Sequence, residues 1–500
     1  MSGHVLVRAD GNARIGLGHV MRTMSVACEL QRTGARITYL CRPLPLWAET
    51  LLQARGFDLL TLALDDAASQ TEDADATVQA LERIGADMVL LDHYDLTADW
   101  TKRVKARSAL FMAVFDDLAS DARDVDVLID ASPGRVASDY IDLVPPSAVC
   151  LTGPDYAALR PEFALARGQN RSGKQAMCRI AISMGGVDPT NVTLACLEAL
   201  DARPDVDLTV ILSSAAPHIR AVRERIAKMR APTRLLLDRT DMARILQSTD
   251  LVVGAGGTSA LERCVLGVPS VIVVLAENQA FNAANLAKAK AALVLSDLSA
   301  SALVQTLEPL IEDADLRADM GQSAAALCDG LGAPRVAGAI LAARHGAALR
   351  PVTMDDMALI YDWQCEPQTR RFARNPTVPK LAEHEAWFAN RMSRAKRDPF
   401  YIILSAGKAS GFVRLDPASE GDTCEVSIVI AQHAQGRGLG RVALGLLRLA
   451  HPKRKIAAAV HPQNAASQRV FERAGYQRTA PEQFVSVGWS ESVERQQNGN

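Results

Sequence analysis

The sequence predicts an α/β protein in three domains: two units of parallel strands covered by helices on both faces, then a smaller α+β unit. Three observations carry this. The chain has 500 residues, too many for one hydrophobic core. Short apolar runs alternate with helix-period segments twice over, the pattern of parallel sheets buried on both faces. A polar, glycine-bearing stretch at residues 166–174 separates the two series and reads as a linker. Beyond Arg350 the alternation gives way to consecutive strands. The expected domains are residues 1–165, 175–347 and 348–490.

Composition narrows the partners. A net charge of −2 offers no basic surface for nucleic acid or an anionic membrane. No apolar run reaches the roughly 18 residues of a spanning helix, and the N-terminal run reads as a strand rather than a signal peptide. Nine scattered cysteines without a C-x-x-C pair predict reduced thiols in the cytoplasm and no structural zinc site. The polar tail Glu491–Asn500 is expected to fray.

In the first unit, His4–Arg8 reads as a strand and Val20–Leu30 as an apolar-periodic helix. Between them, Gly16-Leu17-Gly18-His19-Val20-Met21-Arg22 makes a strand-to-helix turn. There, free backbone N–H groups and the positive helix end face outward. Gly16 and Gly18 let the backbone fold tightly and a ligand approach closely. His19 is the side chain suited to proton transfer near neutral pH; a satisfied histidine at a helix start is the plain alternative. Arg36–Leu40, Met88–Leu91, Leu110–Phe115 and Val127–Ile129 are further strands. Ligands bind beyond the carboxyl ends of such strands, and His19, His93 and Asp116 all fall there. Asp10, ending the first strand, is a candidate to orient the His19 imidazole.

In the second unit the strands are Arg179–Ser183, Leu208–Leu212, Arg234–Leu237, Asp250–Val253 and Ser270–Leu275. Two glycine turns follow strands, one with Gly185 and Gly186, the other with Gly256, Gly257 and Ser259. N–H groups of Gly256 and Gly257 at a helix start suit a diphosphate. Glu262, one turn into that helix, is either a ligand for ribose hydroxyls or a solvated helix carboxylate. The amides of Asn278 and Gln279 both donate and accept. No Lys-Ser/Thr closes the Gly256 turn into a Walker loop, and Met21 occupies the third glycine position of a dinucleotide fingerprint. Two such units predict a two-lobed nucleotide-sugar fold with a cleft between the lobes.

In the third unit, helices Met354–Trp363 and Glu383–Met392 precede antiparallel strands Pro399–Ser405, Gly411–Leu415 and Thr423–Ile430. Gln435-Gly436-Arg437-Gly438-Leu439-Gly440-Arg441 then leads into the helix Val442–Leu449, the strand Ile456–Val460 and the helix Asn464–Ala474, which Gly475 ends. The Q-x-x-G-x-G loop, with Asn464, Ser467, Phe471, Gly475 and Tyr476 downstream, resembles the acyl-coenzyme-A loop of the GNAT acetyltransferases. The resemblance implies acetyl-coenzyme A as co-substrate, held by Gln435, Gly436, Arg437, Gly438, Gly440, Arg441, Asn464 and Ser467. It also implies Glu425 as acceptor of the amine proton through water, against a surface strand carboxylate. Tyr476 is either the donor to the leaving thiolate or a core aromatic. Glu385-Ala386-Trp387-Phe388 and Glu425-Val426-Ser427-Ile428 look like the branch that acetylates sugar amines on nucleotide sugars. Trp363-Gln364-Cys365 departs from that branch's Trp-Arg-Asn, and a protein N-terminus or an antibiotic amine stays open as acceptor.

The first two units resemble the UDP-sugar hydrolases of pseudaminic acid biosynthesis, which share the GT-B fold of the two-lobed, Rossmann-like glycosyltransferases. The matching pieces run in order: Gly16 to Arg22, Asp92-His93-Tyr94, Asp116 to Ala119, Tyr156 to Phe163, Gly185 to Asn191, Gly256 to Arg263, and Ala276 to Gln279. The resemblance implies metal-independent hydrolysis of UDP-2,4-diacetamido-2,4,6-trideoxy-β-L-altropyranose, with His19 catalytic. It also implies that the acetyltransferase acts one step earlier, on the 4-amine of the preceding UDP-sugar. Substrate contacts are then expected from Asp10, Gly16, Gly18, Arg22, His93, Tyr94, Asp116, Gly185, Gly186, Gly256, Gly257, Ser259, Glu262, Asn278 and Gln279. His19 either takes the proton of water, the preferred role, or donates to the departing phosphate oxygen. A glycosyltransferase with another acceptor, and a ligand sensor without catalysis, are the competing readings.

Overall fold

The computed structural model describes residues 3–12, 16–65, 67–106, 110–169, 177–394, 397–417 and 423–486. Residues 170–174 of the expected linker and the tail Glu491–Asn500 lie outside them. Three sheets organise the chain. The first joins β1 (His4–Ala9), β2 (Arg36–Cys41), β3 (Asp58–Thr61), β4 (Met88–Asp92), β5 (Phe111–Phe115), β6 (Val127–Asp130) and β7 (Val149–Thr152) in the order β3-β2-β1-β4-β5-β6-β7. Every pair is parallel. The second joins β8 (Cys178–Ser183), β9 (Val206–Leu212), β10 (Thr233–Leu237), β11 (Leu251–Ala255), β12 (Ser270–Val273) and β13 (Leu293–Leu295) in the order β10-β9-β8-β11-β12-β13, again all parallel.

The short outer strands β3, β7 and β13 are absent from the sequence reading. All three are only three or four residues long and partly exposed. The central strands β1 and β4 are buried along their whole length, which is why they read clearly as strands.

The third sheet adds β14 (Ala347–Pro351), β15 (Phe400–Ser405), β16 (Lys408–Pro417), β17 (Thr423–Ile430), β18 (Lys455–Ala459), β19 (Tyr476–Ala480) and β20 (Gln483–Ser486), in the order β14-β15-β16-β17-β18-β20-β19. Only β17 and β18 pair in parallel, and only over Thr423–Glu425. Beyond Glu425, β17 runs on to Ile430 beside β16 alone, so the sheet forks at Glu425.

The stretch Ala314–His345 is long and apolar enough to cross a membrane by length and composition, but more than half of its most apolar window is buried inside the fold. It is two helices, Ala314–Leu327 and Gly332–His345. The second of these leaves the second lobe and packs against the first. One apolar core runs from β1, β2 and β4 through this helix (Val336, Ala337, Ile340, Leu341) into the third unit's helix Leu439–Ala450 (Val442, Ala443, Leu444, Leu447). A Cβ on Gly445 would sit 3.3 Å from Thr33 Cβ and 3.4 Å from Leu341 Cδ1. Each large side chain buried there contributes about 1.5–3 kcal/mol.

The same seam brings two turns into backbone contact. Gly34 and Gly475 both have positive φ, at 88° and 77°. A Cβ on Gly34 would overlap the Arg473 carbonyl oxygen, and one on Gly475 the Arg32 carbonyl oxygen. Arg448, buried, donates to the carbonyls of Arg32, Ala474 and Gly475. Lys453 Nζ donates to Ala164 O at 3.0 Å, and Arg344 pairs with Asp87.

Gly34→Ala is therefore expected to cost more than Gly85→Ala in urea unfolding. Gly85 shares the left-handed backbone at φ 65° but has nothing near its missing Cβ. The strain common to both is about 1–2 kcal/mol. The excess at Gly34, at least another ~1 kcal/mol for the forced shift, measures the seam.

Candidate functional site

Both parallel sheets reverse strand order at their centre, between β1 and β4 and between β8 and β11. The crevice beyond the carboxyl ends at such a reversal is the binding position of open α/β sheets. The Gly16–Arg22 turn follows β1 and Asp92-His93-Tyr94 ends β4. The Gly185 turn follows β8 and the Gly256 turn follows β11.

His19 is 7% exposed at the start of the helix Gly18–Arg32. Its Nδ1 lies 2.5 Å from Asp92 Oδ1. Arg22, one turn on, grips the same carboxylate with Nε on Oδ2 at 2.5 Å and Nη2 on Oδ1 at 2.7 Å, and reaches Asp117 Oδ2 at 3.0 Å. Burial works to raise the Asp92 carboxyl, but Arg22 and His19 outweigh it and hold it well below the usual carboxylate range. Asp92 is thus ionised, His19 Nδ1 carries the proton that binds it, and Nε2 is the nitrogen with a free lone pair for a neutral ring. Tyr94 sits edge-on to the imidazole, ring centroids 4.7 Å apart. A Cβ on Gly16 or Gly18 would meet nothing within 4 Å, so there is open space beside this histidine.

Several expected contacts in this lobe are otherwise engaged. Asp10 does not orient His19. It binds Arg8 at 2.6 and 2.8 Å, the Arg42 N–H at 2.8 Å and His93 Nε2 at 3.3 Å. Arg8 is fully buried and also pairs with Asp73, so Asp10 is one arm of a buried ionic knot below the crevice. His93 turns to that knot, its Nδ1 accepting from the Asp95 N–H at 3.1 Å, and is not aimed at a ligand. Asp116 is 3% exposed and accepts from the Leu118 and Ala119 N–H groups and Arg123 Nε; it shapes its own loop. Arg22 has its guanidinium committed to Asp92 and Asp117. Asp92, which the sequence reading left as a mere strand end, is the residue that gathers the site. A carboxylate closing a buried strand beside a His-x-x-Arg turn was the signal for it.

In the second lobe, Gly185 (φ 82°) and Gly257 have open space where a Cβ would stand, and Gly186 meets only Ser213 Cβ, at 3.7 Å. Gly256 departs from expectation. Its N–H is 3.2 Å from Gln279 Oε1, which also takes the Leu275 N–H at 3.2 Å. Gln279 is therefore a bracket between two loops, and of the two glycine N–H groups it is Gly257's that stands clear of it. Ser259 opens the helix Ser259–Leu266. Glu262 lies 3.9 Å from Arg160 Nη2, and burial pushes its carboxyl up. Asn278 Nδ2 crosses the cleft to Tyr94 Oη at 3.1 Å, and Tyr94 Oη lies 3.2 Å from Asp117 Oδ2. Arg135 of the first lobe lies over the Phe281 ring of the second at 4.3 Å. The lobes are closed on each other through these contacts.

In the third unit, the turn before the helix Leu439–Ala450 holds Gly436 and Gly438, both at φ 76° with open space around the missing Cβ. Gln435 Nε2 pins the turn to Ile430 O at 2.9 Å. This cradle beside the open edge of β17 fits a pyrophosphate and an amide-bearing arm, the donor set that acetyl-coenzyme A needs. A Cβ on Gly440 would lie 3.4 Å from Val470 Cγ1, so that glycine serves close helix packing. Arg441 turns away from the turn, toward a small cavity lined also by Leu30, Ile340 and Arg344. Asn464 caps the helix Ala465–Arg473, its Oδ1 accepting from the Ser467 N–H at 3.0 Å. Asn464 therefore caps a helix where a coenzyme contact was expected.

Glu425 stands at the fork of the sheet, paired with Arg374. Tyr476 is 4% exposed under Arg448, with its hydroxyl lacking a partner and burial pushing its pKa up to about 12. It belongs to the seam with the first lobe and is a core aromatic, not a proton donor at the fork. Among the described residues, no group of three or more His, Cys, Asp or Glu side chains is arranged to hold a metal ion.

Comparison with known proteins agrees with this division. Residues 347–477 match the acetyltransferase (GNAT) domain, and residues 227–329 match the glycosyltransferase family 28 C-terminal domain. The chain is 24% identical over 284 residues to the UDP-2,4-diacetamido-2,4,6-trideoxy-β-L-altropyranose hydrolase of Campylobacter jejuni subsp. jejuni serotype O:2, covering 57% of this chain and 96% of that one. It is 22% identical over 497 residues to an uncharacterized protein of Methanocaldococcus jannaschii, covering 95% and 97%. The crystal structure of Acinetobacter baumannii MurG aligns with a TM-score of 0.51 at 18% identity, over 68% of this chain and 99% of that one. The first two units thus have the GT-B fold of glycosyltransferases, and the third is a GNAT domain.

Asp92→Asn should leave the buried Arg22 with Asp117 as its remaining counter-charge, at a cost of about 3 kcal/mol at pH 7. Because the wild-type carboxyl is held low, its stabilising contribution is complete above the unfolded value near pH 3.9 and is lost as pH falls below it. Urea unfolding between pH 3 and 7 should therefore show a shallower acid loss for Asp92→Asn than for the wild type.

Proposed function

We propose that the chain is a bifunctional enzyme of pseudaminic acid biosynthesis. In this reading the GNAT domain acetylates the 4-amine of UDP-4-amino-4,6-dideoxy-N-acetyl-β-L-altrosamine. The GT-B unit then hydrolyses the product, UDP-2,4-diacetamido-2,4,6-trideoxy-β-L-altropyranose, to UDP and free sugar. The observation that carries the second step is the ionised Asp92 on His19 Nδ1 at 2.5 Å, at the strand reversal.

With Nδ1 protonated toward Asp92, His19 acts through Nε2 as a base on water attacking the anomeric carbon, a contribution on the order of 10²–10⁴-fold. Arg22 shares the Asp92 charge, and the carboxylate aligns the ring. The departing diphosphate needs little proton donation where the Gly257 N–H and the start of the helix Ser259–Leu266 receive its charge. Tyr94 remains a phenol, since burial raises its pKa, and with Asn278 it bounds the sugar from both lobes. Glu262 suits the ribose hydroxyls. In the GNAT domain, acetyl-coenzyme A supplies the acetyl group. The Gly436–Gly438 turn and Arg437 hold its pyrophosphate, and Glu425 takes the amine proton through water once Arg374 yields the carboxylate. The absence of any metal requirement belongs to the same reading.

A second reading is favoured by the family 28 match at residues 227–329: transfer of the sugar to an acceptor other than water. Incubation without acceptor separates the two. UDP release matched by free sugar supports hydrolysis, and turnover only with an added glycan or lipid supports transfer. Given the UDP-4-amino sugar and acetyl-coenzyme A, the intact chain should release free thiol and then UDP. His19→Ala should cut UDP release 10²-fold or more while thiol release is unchanged, followed together by thiol titration and sugar mass. Undiminished UDP release in that variant would remove His19 from the mechanism.

A further inference from the structure

Arg263 is a buried cation without a carboxylate. It is 3% exposed, and its three nitrogens meet neutral oxygens only: Nε on Ser270 Oγ at 3.0 Å, Nη2 on Ala255 O at 2.8 Å and Nη1 on Ser259 Oγ at 3.4 Å. Among the described residues it makes no ion pair within 4.0 Å. Arg8, Arg123 and Arg391 are buried to the same degree, and each faces an aspartate. Arg448 is buried on carbonyls, but these close the helices Gly18–Arg32 and Ala465–Arg473, whose C-terminal ends supply negative potential.

At Arg263 the local field has the opposite sign. The guanidinium reaches back to the first turn of its own helix, Ser259–Leu266, where the helix end is positive as well. Two positive contributions therefore meet under one glycine turn, and the neighbouring Glu262 carboxylate acts on the guanidinium only from beyond ion-pair reach. Burial depresses the guanidinium to about 10, so it stays charged at neutral pH. An unpaired buried charge costs several kcal/mol, and a fold bears that cost only where something else supplies the opposite charge. Glycine at 254 is what lets the guanidinium lie there, since a Cβ would stand 2.8 Å from Ser183 O and 3.1 Å from Arg263 Nη1.

We propose that Arg263 is the fixed counter-charge for the ligand's diphosphate, a positioning residue that acts from beneath the Gly256–Ser259 turn without touching the nucleotide. It holds the Ala255 carbonyl inward, so the Gly257 N–H faces the cleft, and it sets a positive potential there before any ligand arrives. The inference rests on the nucleotide-site reading of this lobe and adds the residue that selects diphosphate over uncharged nucleoside.

The test is calorimetric binding of UDP and of uridine to the full chain, in the wild type, Arg263→Gln and Arg263→Lys. The expected result is a ten- to hundredfold loss of UDP affinity in Arg263→Gln with uridine unchanged. Arg263→Lys, which keeps the charge but not the hold on both Ala255 and Ser270, should retain most of the preference for UDP. Equal losses for UDP and uridine in either variant, or no loss in Arg263→Gln, overturn the proposal while leaving the nucleotide site intact. If Arg263→Gln does not fold, Arg263→Lys decides alone: a UDP-over-uridine ratio within threefold of wild type supports the charge, and a collapsed ratio overturns it. A wild-type chain that binds neither ligand overturns the nucleotide-site reading and this proposal together.

Discussion

The helix Gly332–His345 is the constraint on which the rest of the molecule depends. It is apolar on two faces, and each face is covered by a different unit. Val336, Ala337, Ile340 and Leu341 share one core with the strands of the first lobe and with the helix Leu439–Ala450 of the GNAT domain. Neither unit can shed this helix without exposing apolar surface, at about 25 cal/mol per Å². The two catalytic units are therefore not beads on a string. The Gly34 and Gly475 turns, pressed backbone to backbone, and Arg448 over three carbonyls lock the orientation that the shared core imposes.

Because the same helix closes the second lobe back onto the first, the cleft inherits its geometry. The first lobe contributes a charge network centred on Asp92 and the second contributes a positive turn over Arg263. The two meet through Tyr94 and Asn278. Each half is electrostatically incomplete in a different way. Asp92 is neutralised by Arg22 and hydrogen-bonded by His19, so it adds little charge to the cleft. Among the described residues Arg263 has no ion pair. Such a pairing suits a reaction in which a proton is handled on one wall and a leaving anion is received on the other.

The sheets, their glycine turns and the GNAT loop were legible because their signals are local. Apolar runs such as Met88–Leu91, the Gly16–Arg22 turn and Gln435–Gly440 carry periodicity or backbone requirements that neighbours in sequence decide. The partnerships were not legible. Asp10 and Asp92 both end buried strands beside His19 in the first lobe, and nothing in the chain says which carboxylate faces the imidazole. Strand register says it: β1 pairs with β4 so that Ala9 stands against Asp92, while Asp10 is drawn down to Arg8. Gln279 and Arg441 were likewise misassigned, since a polar side chain beside a glycine turn has the same appearance whether it faces a ligand, a loop or another domain.

The sequence by itself determined three folded units, the strand ends where ligands bind in such sheets, and a histidine beside them. Tertiary structure alone decided which carboxylate aligns that histidine, that Tyr476 belongs to a domain seam, and that Arg263 is held by neutral oxygens and no ion-pairing carboxylate. The physical reason is range. Backbone propensity and periodicity act over a few residues, whereas charge pairing and burial are settled by residues far apart in the chain, such as His19 and Asp92, brought together only when the sheets and the shared helix have packed.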